Sequence, residues 1–200
     1  MAYLATQLPA DVFDTIQRNA GVLLSEFDAT SWAVDREHII GATSGGINFK
    51  DELAFVDMGD DIDNCPKNMM ELKELDSRVV TCSGTYVAVR PEEIKNLAVV
   101  ADMEGNKITP RNEIKLSDYR KIWFVCDYGK DGAIAVELEN VINESGFAIQ
   151  TANKGKGQFA FNYKAHYSID NPDTVPYGIH IKDPSAAATA SVGDEEPTAE

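Results

Sequence analysis

The chain has few bases for its acids, few cysteines, and no apolar run long enough to cross a bilayer. Eighteen Lys and Arg stand against 33 Asp and Glu, a formal net charge of −15. That balance opposes wrapping around nucleic acid or docking on an anionic membrane, because both need a cationic footprint. The five acids after Lys182 (Asp183, Asp194, Glu195, Glu196 and Glu200) face no base, and without them the remainder still carries −10. With no apolar run near the roughly 18 residues of a membrane span, no membrane anchor is expected. The amino terminus lacks a basic stretch followed by a hydrophobic segment and cleavage site, so the chain is expected to stay in the cytoplasm until assembly or lysis. Cys65, Cys82 and Cys126 are odd in number and far apart, without C-x-x-C spacing. Shielded free thiols are expected rather than a disulfide framework or a zinc site.

Catalytic motifs are missing too. TANKGKGQ around Gly155 has phosphate-loop glycines, but the Walker pattern needs Lys followed by Ser or Thr at a strand-to-helix junction, and this stretch precedes a strand. A hairpin turn is the reading. Ser44 in GATSGG lacks the glycine two residues earlier that a nucleophile elbow requires. His38, His166 and His180 stand alone, with no H-E-x-x-H pair or neighbouring cysteine cluster, and His166 falls on the polar side of its strand. No catalytic residue, cofactor or metal is expected.

What is present is a single β-rich domain. Two hundred residues at 44% hydrophobic content suffice for one core, and disorder throughout is excluded. Residues 1–20 read as a short helix or an arm that orders on a neighbour. As a helix it has Pro9 near its first turn, Ile16 and Ala20 on its apolar side, and Gly21 at a left-handed stop. Residues 21–182 form the domain, and 183–200, without aromatics and nearly without aliphatic bulk, read as a disordered acidic tail.

Residues 27–50 read as strands separated by mobile loops, with short apolar pieces at Ile39, Ile40, Ile47 and Phe49 and Gly45-Gly46 as a turn or bulge, and residues 41–68 are taken together as a long acidic loop. Six carboxylates fall between positions 51 and 63 (Asp51, Glu52, Asp57, Asp60, Asp61 and Asp63) without a base. An EF-hand calcium loop starting at Asp57 would need glycine and glutamate where Ile62 and Asn68 stand, so a solvated loop is the reading. VVTCSGTYVAV (79–89) reads as a strand, with Gly84 at a bulge or close contact. Pro91, Glu92 and Glu93 open a helix with Ile94, Leu97, Ala98 and Ala101 on one face, ending near Asp102. A turn-rich stretch fills 105–118.

Strands follow at 122–127, at 133–142 and from 158 to 169. In the second, Ile134, Val136, Leu138 and Ile142 face one way and Glu137 and Glu139 the other. In the third, Phe159, Phe161, Tyr163, Ala165, Tyr167 and Ile169 oppose Gln158, Asn162, Lys164, His166 and Ser168. A last strand runs from 175 to 182. One-sided strands belong to antiparallel sheets, so the fold class is mainly β: an antiparallel β-sandwich or barrel with one flanking α-helix.

Five segments in order, GVLLSEFD (21–28), IIGATSGGINF (39–49), FVDMGDDIDNCPKN (55–68), QTANKGKGQFAFNYKAHYSIDNPDTV (150–175) and TVPYGIHIK (174–182), resemble the major tail tube proteins of long-tailed bacteriophages, particularly phages of Gram-positive hosts. The resemblance rests on collinearity, since none of the segments is chemically constrained. It implies a β-sandwich with a flanking helix, shared with the tube protein of type VI secretion, whose subunits form hexameric rings. The stacked rings make a hollow tube through which the genome leaves the virion. It also implies partners: further copies of the chain, other tail proteins at the tube ends, and duplex DNA that passes through without specific binding.

Under that resemblance Glu137 and Glu139 are candidates to face the lumen. Ile47, Phe49, Phe55, Asp57, Asp60, Asp61 and Asp63, together with residues 2–19, are candidates for contacts between subunits or rings. A monomeric β-sandwich that binds a ligand or carbohydrate as a virion decoration is the alternative.

Overall fold

A computed structural model describes Leu8 and residues 12–183. Among these residues the elements run α1 (Val12–Thr15), β1 (Val22–Leu24), β2 (Gly41–Asp57), β3 (Lys73–Val89), α2 (Pro91–Ala98), β4 (Ala101–Glu104), β5 (Lys107–Pro110), β6 (Arg120–Tyr128), β7 (Gly132–Asn143), β8 (Ala148–Gln150), β9 (Gln158–Ala165) and β10 (Tyr177–Lys182). An eight-stranded sheet has the order β1-β6-β7-β9-β3-β2, with β10 attached to β7 and β8 to β9, while β4 and β5 form a separate hairpin. Every strand pair is antiparallel. The protein is therefore mainly β with one substantial flanking helix, as the strand periodicity requires.

The sheet closes over its own core because β7 changes partners along its length. Ala133–Leu138 pair with β10, whereas Val141, Ile142 and Asn143 pair with β9 on the same edge. Between them the register against β6 slips, and Asn140 takes φ 49°. Such a bulge bends a strand and raises its local twist, which lets one strand serve both halves of a sandwich. It also resets the inward face: Val136, Leu138 and Val141 are buried, and Ile142, expected on that face, is not.

Leu23, Val80, Cys82, Tyr86, Ile122, Leu138, Phe161 and Tyr163 meet in this core, and Leu97 closes it from α2. Phe161 lies between Tyr86 and Tyr163, with ring centroids at 4.3 and 5.1 Å. Each such side chain taken fully from water contributes about 1.5–3 kcal/mol. A smaller cluster of Leu24, Trp123, Val125 and Ala135 lies under Phe27, Trp32 and Ile39.

Polar ties fix the helix to the sheet. The Asn143 side chain donates to Leu97 O at 2.9 Å and Gly146 O at 2.8 Å, and its Oδ1 accepts from Asn162 N and Ser145 Oγ, each at 2.8 Å. A buried amide with all of these groups satisfied favours one arrangement of α2, β7 and β9 over others. Arg120 donates to Glu93 in the first turn of α2 at 2.6 Å and to the Tyr163 hydroxyl at 3.0 Å. Arg111 holds Asp118 by two bonds of 2.6 and 2.9 Å, pinning the β4–β5 hairpin.

Several expectations change. Residues 41–57 are one strand: the strand pieces expected before Lys50 run on as β2 through the acidic stretch to Asp57, and only the turn beyond it is irregular. The acids there sit in a strand because the long partner β3 supplies a ladder that outweighs their low strand propensity. Gly45 and Gly46 do form a bulge, with φ 82° and 87°, where the register jumps from Thr43 to Ile47. The first helix stops at Thr15, and Ile16 and Ala20 lie outside it. Gly21 is left-handed, φ 70°, at the entry to β1, where a Cβ would lie 2.6 Å from the Phe124 ring.

Helix α2 ends at Ala98, four residues early, because Val99 leaves helical geometry at φ 58°, ψ −81°. The stretch read as turns opens with Gly105-Asn106, a two-residue link of the kind hairpins favour, and then holds β5, which pairs back on β4. Strand β9 ends at Ala165, so Tyr167 and Ile169 leave the inward face, Ile169 being 95% exposed. There the chain turns through Ser168 and Asn171 instead of continuing. The proposed start of the first helix and the acidic tail beyond Asp183 lie outside the described residues.

Candidate assembly surface

Strands β2 and β3 pair over nearly their whole length, but β9 covers β3 only from Val80 to Tyr86. From Glu52↔Val79 out to Asp57↔Lys73 the two strands are a ribbon with no third strand. At about 3.3 Å per residue it projects roughly 20 Å from the body. An isolated two-stranded ribbon is marginal in water, because neither face buries enough apolar area.

The root of the ribbon is fastened. Tyr177 on β10 donates its hydroxyl to Asp51 at 2.8 Å, and its ring lies 5.5 Å from that of Phe49. Arg78, opposite Leu53, stands 3.5 Å from Asp51 and 5.8 Å from the Tyr177 ring. The hydrogen bond to Asp51 and, next, burial raise the Tyr177 pKa. The far end closes through Met58 N to Leu72 O at 2.8 Å. There the Asp57 carboxylate accepts from Gly59 N at 2.9 Å and Asn68 N at 2.7 Å, and these amides hold its pKa below 3.8. Asn64 and Asn68 take the positive φ values, 61° and 60°, that asparagine tolerates.

Between root and turn, one face carries Leu53, Phe55 and Leu75, continuing the inward face of β2 past the point where the core stops. Phe55 is 53% and Leu75 49% exposed, and Lys73 lies over the Phe55 ring at 5.1 Å. Met58, Ile62 and Met70 extend the exposed apolar surface into the turn. Contiguous exposed apolar surface rimmed by charge is the usual mark of a protein contact.

The structure separates the residues singled out in the sequence. Ile47 and Phe49 pack against the protein's own core. Phe55 stands on the open ribbon face. Asp57 shapes the turn, while Asp60, Asp61 and Asp63 are exposed on it, Asp60 lying 3.8 Å from Lys67. Leu53 and Leu75 escaped sequence reading, although alternation in DELAFV and KELDS could have flagged them. Glu137 and Glu139 share the outer face of β7, where Lys121 pairs with both, the Glu139 contact being 2.9 Å, and His180 lies 3.2 Å from Glu137. Their charge is thus partly neutralised in place.

Chemistry elsewhere is muted. Burial pushes the Cys82 thiol up to about 12 and raises Cys126, so both are protonated and poor nucleophiles. Each histidine faces a different carboxylate: Glu26 for His38, Glu144 for His166 and Glu137 for His180. Among the described residues no three His, Cys, Asp or Glu side chains converge as a metal-binding group, and no helix is long and apolar enough to cross a membrane. Compared with known proteins, the sequence matches no protein-family model and shows no significant similarity to a curated protein.

Proposed function

We propose that the protein is a structural subunit that assembles into hexameric rings stacked as a tube, the role of the major tail tube protein in a long-tailed bacteriophage virion. The observation that carries this reading is the β2–β3 ribbon, whose Leu53, Phe55 and Leu75 face has no cover among the described residues. A second copy supplies that cover, and a contact between two different surfaces of identical subunits propagates into rings or filaments. The ordered likeness of five sequence segments to tail tube proteins supports the same role. The subunit works without catalysis or cofactor, with other tail proteins meeting the tube at its ends.

Net charge fits a conduit. A duplex carries one negative charge per roughly 1.7 Å of axis, so a basic channel holds it at many phosphates. A chain at −15 repels the backbone, and stacked rings repeat that repulsion along the path. Sedimentation velocity over a wide concentration range tests the reading. The expected result is a concentration-dependent shift from subunit to large particles that leave added duplex unbound at physiological salt. A subunit that stays monomeric throughout overturns it.

A further inference from the structure

We infer that the acidic turn of the ribbon in one copy docks on the β8–β9 hairpin of a second copy, an inference that rests on the proposed assembly and names the two surfaces that meet. The ribbon and its turn, residues 51–78, hold nine acidic side chains and three basic ones. On the turn, Asp61 and Asp63 are exposed and have no ion-pair partner among the described residues. The hairpin is the reverse. No acid occurs between Glu144 and Asp170, and Lys154 and Lys156 stand exposed in the β8–β9 link with no ion-pair partner among the described residues.

Each surface also has an apolar part beside its charge. On the same hairpin as the lysines, Phe147 and Ile149 are about half exposed, and β8 pairs with β9 alone. Next to the carboxylates are Met58, Phe55 and Leu75. An apolar centre with a complementary charged rim is the usual make-up of a specific contact, the charges setting partner choice and encounter rate.

The two surfaces cannot meet within one copy. The β3–β9 register runs from Tyr86↔Phe159 to Val80↔Ala165, so the β8–β9 link lies beyond the Tyr86 end of β3 and the ribbon turn beyond the Val80 end. Complementary surfaces at opposite ends of one molecule join copies head to tail, the arrangement that builds an open stack or ring.

Charge reversal tests this on the full chain by sedimentation velocity at about 0.15 M salt, where exposed pairs closer than roughly 8 Å still interact. Asp61→Lys with Asp63→Lys, and separately Lys154→Glu with Lys156→Glu, are each expected to weaken association by about tenfold or more, and all four together to restore it. Thermal melts confirm that the variants fold. Unaltered association in both double variants, or no recovery in the folded quadruple variant, overturns the docking while leaving assembly intact. A wild-type chain that never associates overturns both.

Discussion

The Tyr177 hydroxyl donates a 2.8 Å hydrogen bond to the Asp51 carboxylate across 126 positions of sequence, joining β10 to the root of the β2–β3 ribbon. Beside it, Asp51 Oδ1 and Arg78 Nε are buried without a hydrogen bond, so this one contact carries much of the polar satisfaction at the root.

Tyr177→Phe removes that bond while keeping the ring against Phe49. A lost bond to a charged acceptor costs about 1.5–3 kcal/mol, a fall in Tm of roughly 3–12 °C for a chain of this size. Hydrogen exchange of the ribbon amides should accelerate more than that of β6 and β7, because the root is freed. Uniform acceleration would mean that the contact serves global stability alone.

Asn143→Ala should be more damaging. It strands Leu97 O, Gly146 O and Asn162 N near the core, at about 1–3 kcal/mol for each buried group left unpaired. A loss above about 3 kcal/mol in urea unfolding is expected. A loss near that of an ordinary exposed substitution would show that water replaces the amide.

Acid sensitivity should trace in part to Asp118, whose side chain is 1% exposed beside Arg111. Burial acts to raise its pKa, but the Lys115 amide and the Arg111 guanidinium outweigh burial and lower it below 3.8. The unfolded state therefore takes up this proton first as pH falls. The stabilisation is complete above the unfolded value, near 3.8, and is lost as pH drops through the lower folded value. Urea midpoints between about pH 2 and 6 should show a shallower acid decline for Asp118→Asn than for the wild type, from a lower starting point. Parallel declines would contradict the assignment.

Phe55→Asp with Leu75→Asp separates assembly from folding. Both residues are about half exposed, so the melting temperature of the dilute subunit should shift by no more than about 2 °C, while association measured by light scattering should fall at least tenfold. Retained association would remove the ribbon face from the contact.

What could be read from sequence depended on how local the cause was. Strand β9 was legible because Phe159, Phe161, Tyr163 and Ala165 alternate with residues of the other face, and α2 because Pro91 and two glutamates open a helical period. The inward face of β7 past Leu138 was not, since a left-handed Asn140 shifts the period by one residue without any mark in composition. The ribbon was hidden for a different reason. Acid-rich text between 51 and 63 looks like solvated loop, and only the pairing with β3, made across a long turn, turns its first half into strand. Phe55 could be singled out; Leu53 and Leu75 needed the register to appear beside it.

Electron microscopy of the purified full-length protein at high concentration tests the central claim most directly. The account predicts rings with six subunits, or stacks of them around an open channel, in the wild type and dispersed particles in the Phe55→Asp, Leu75→Asp variant. Dispersed single subunits in the wild type, or assemblies that survive in that variant unchanged, would contradict it.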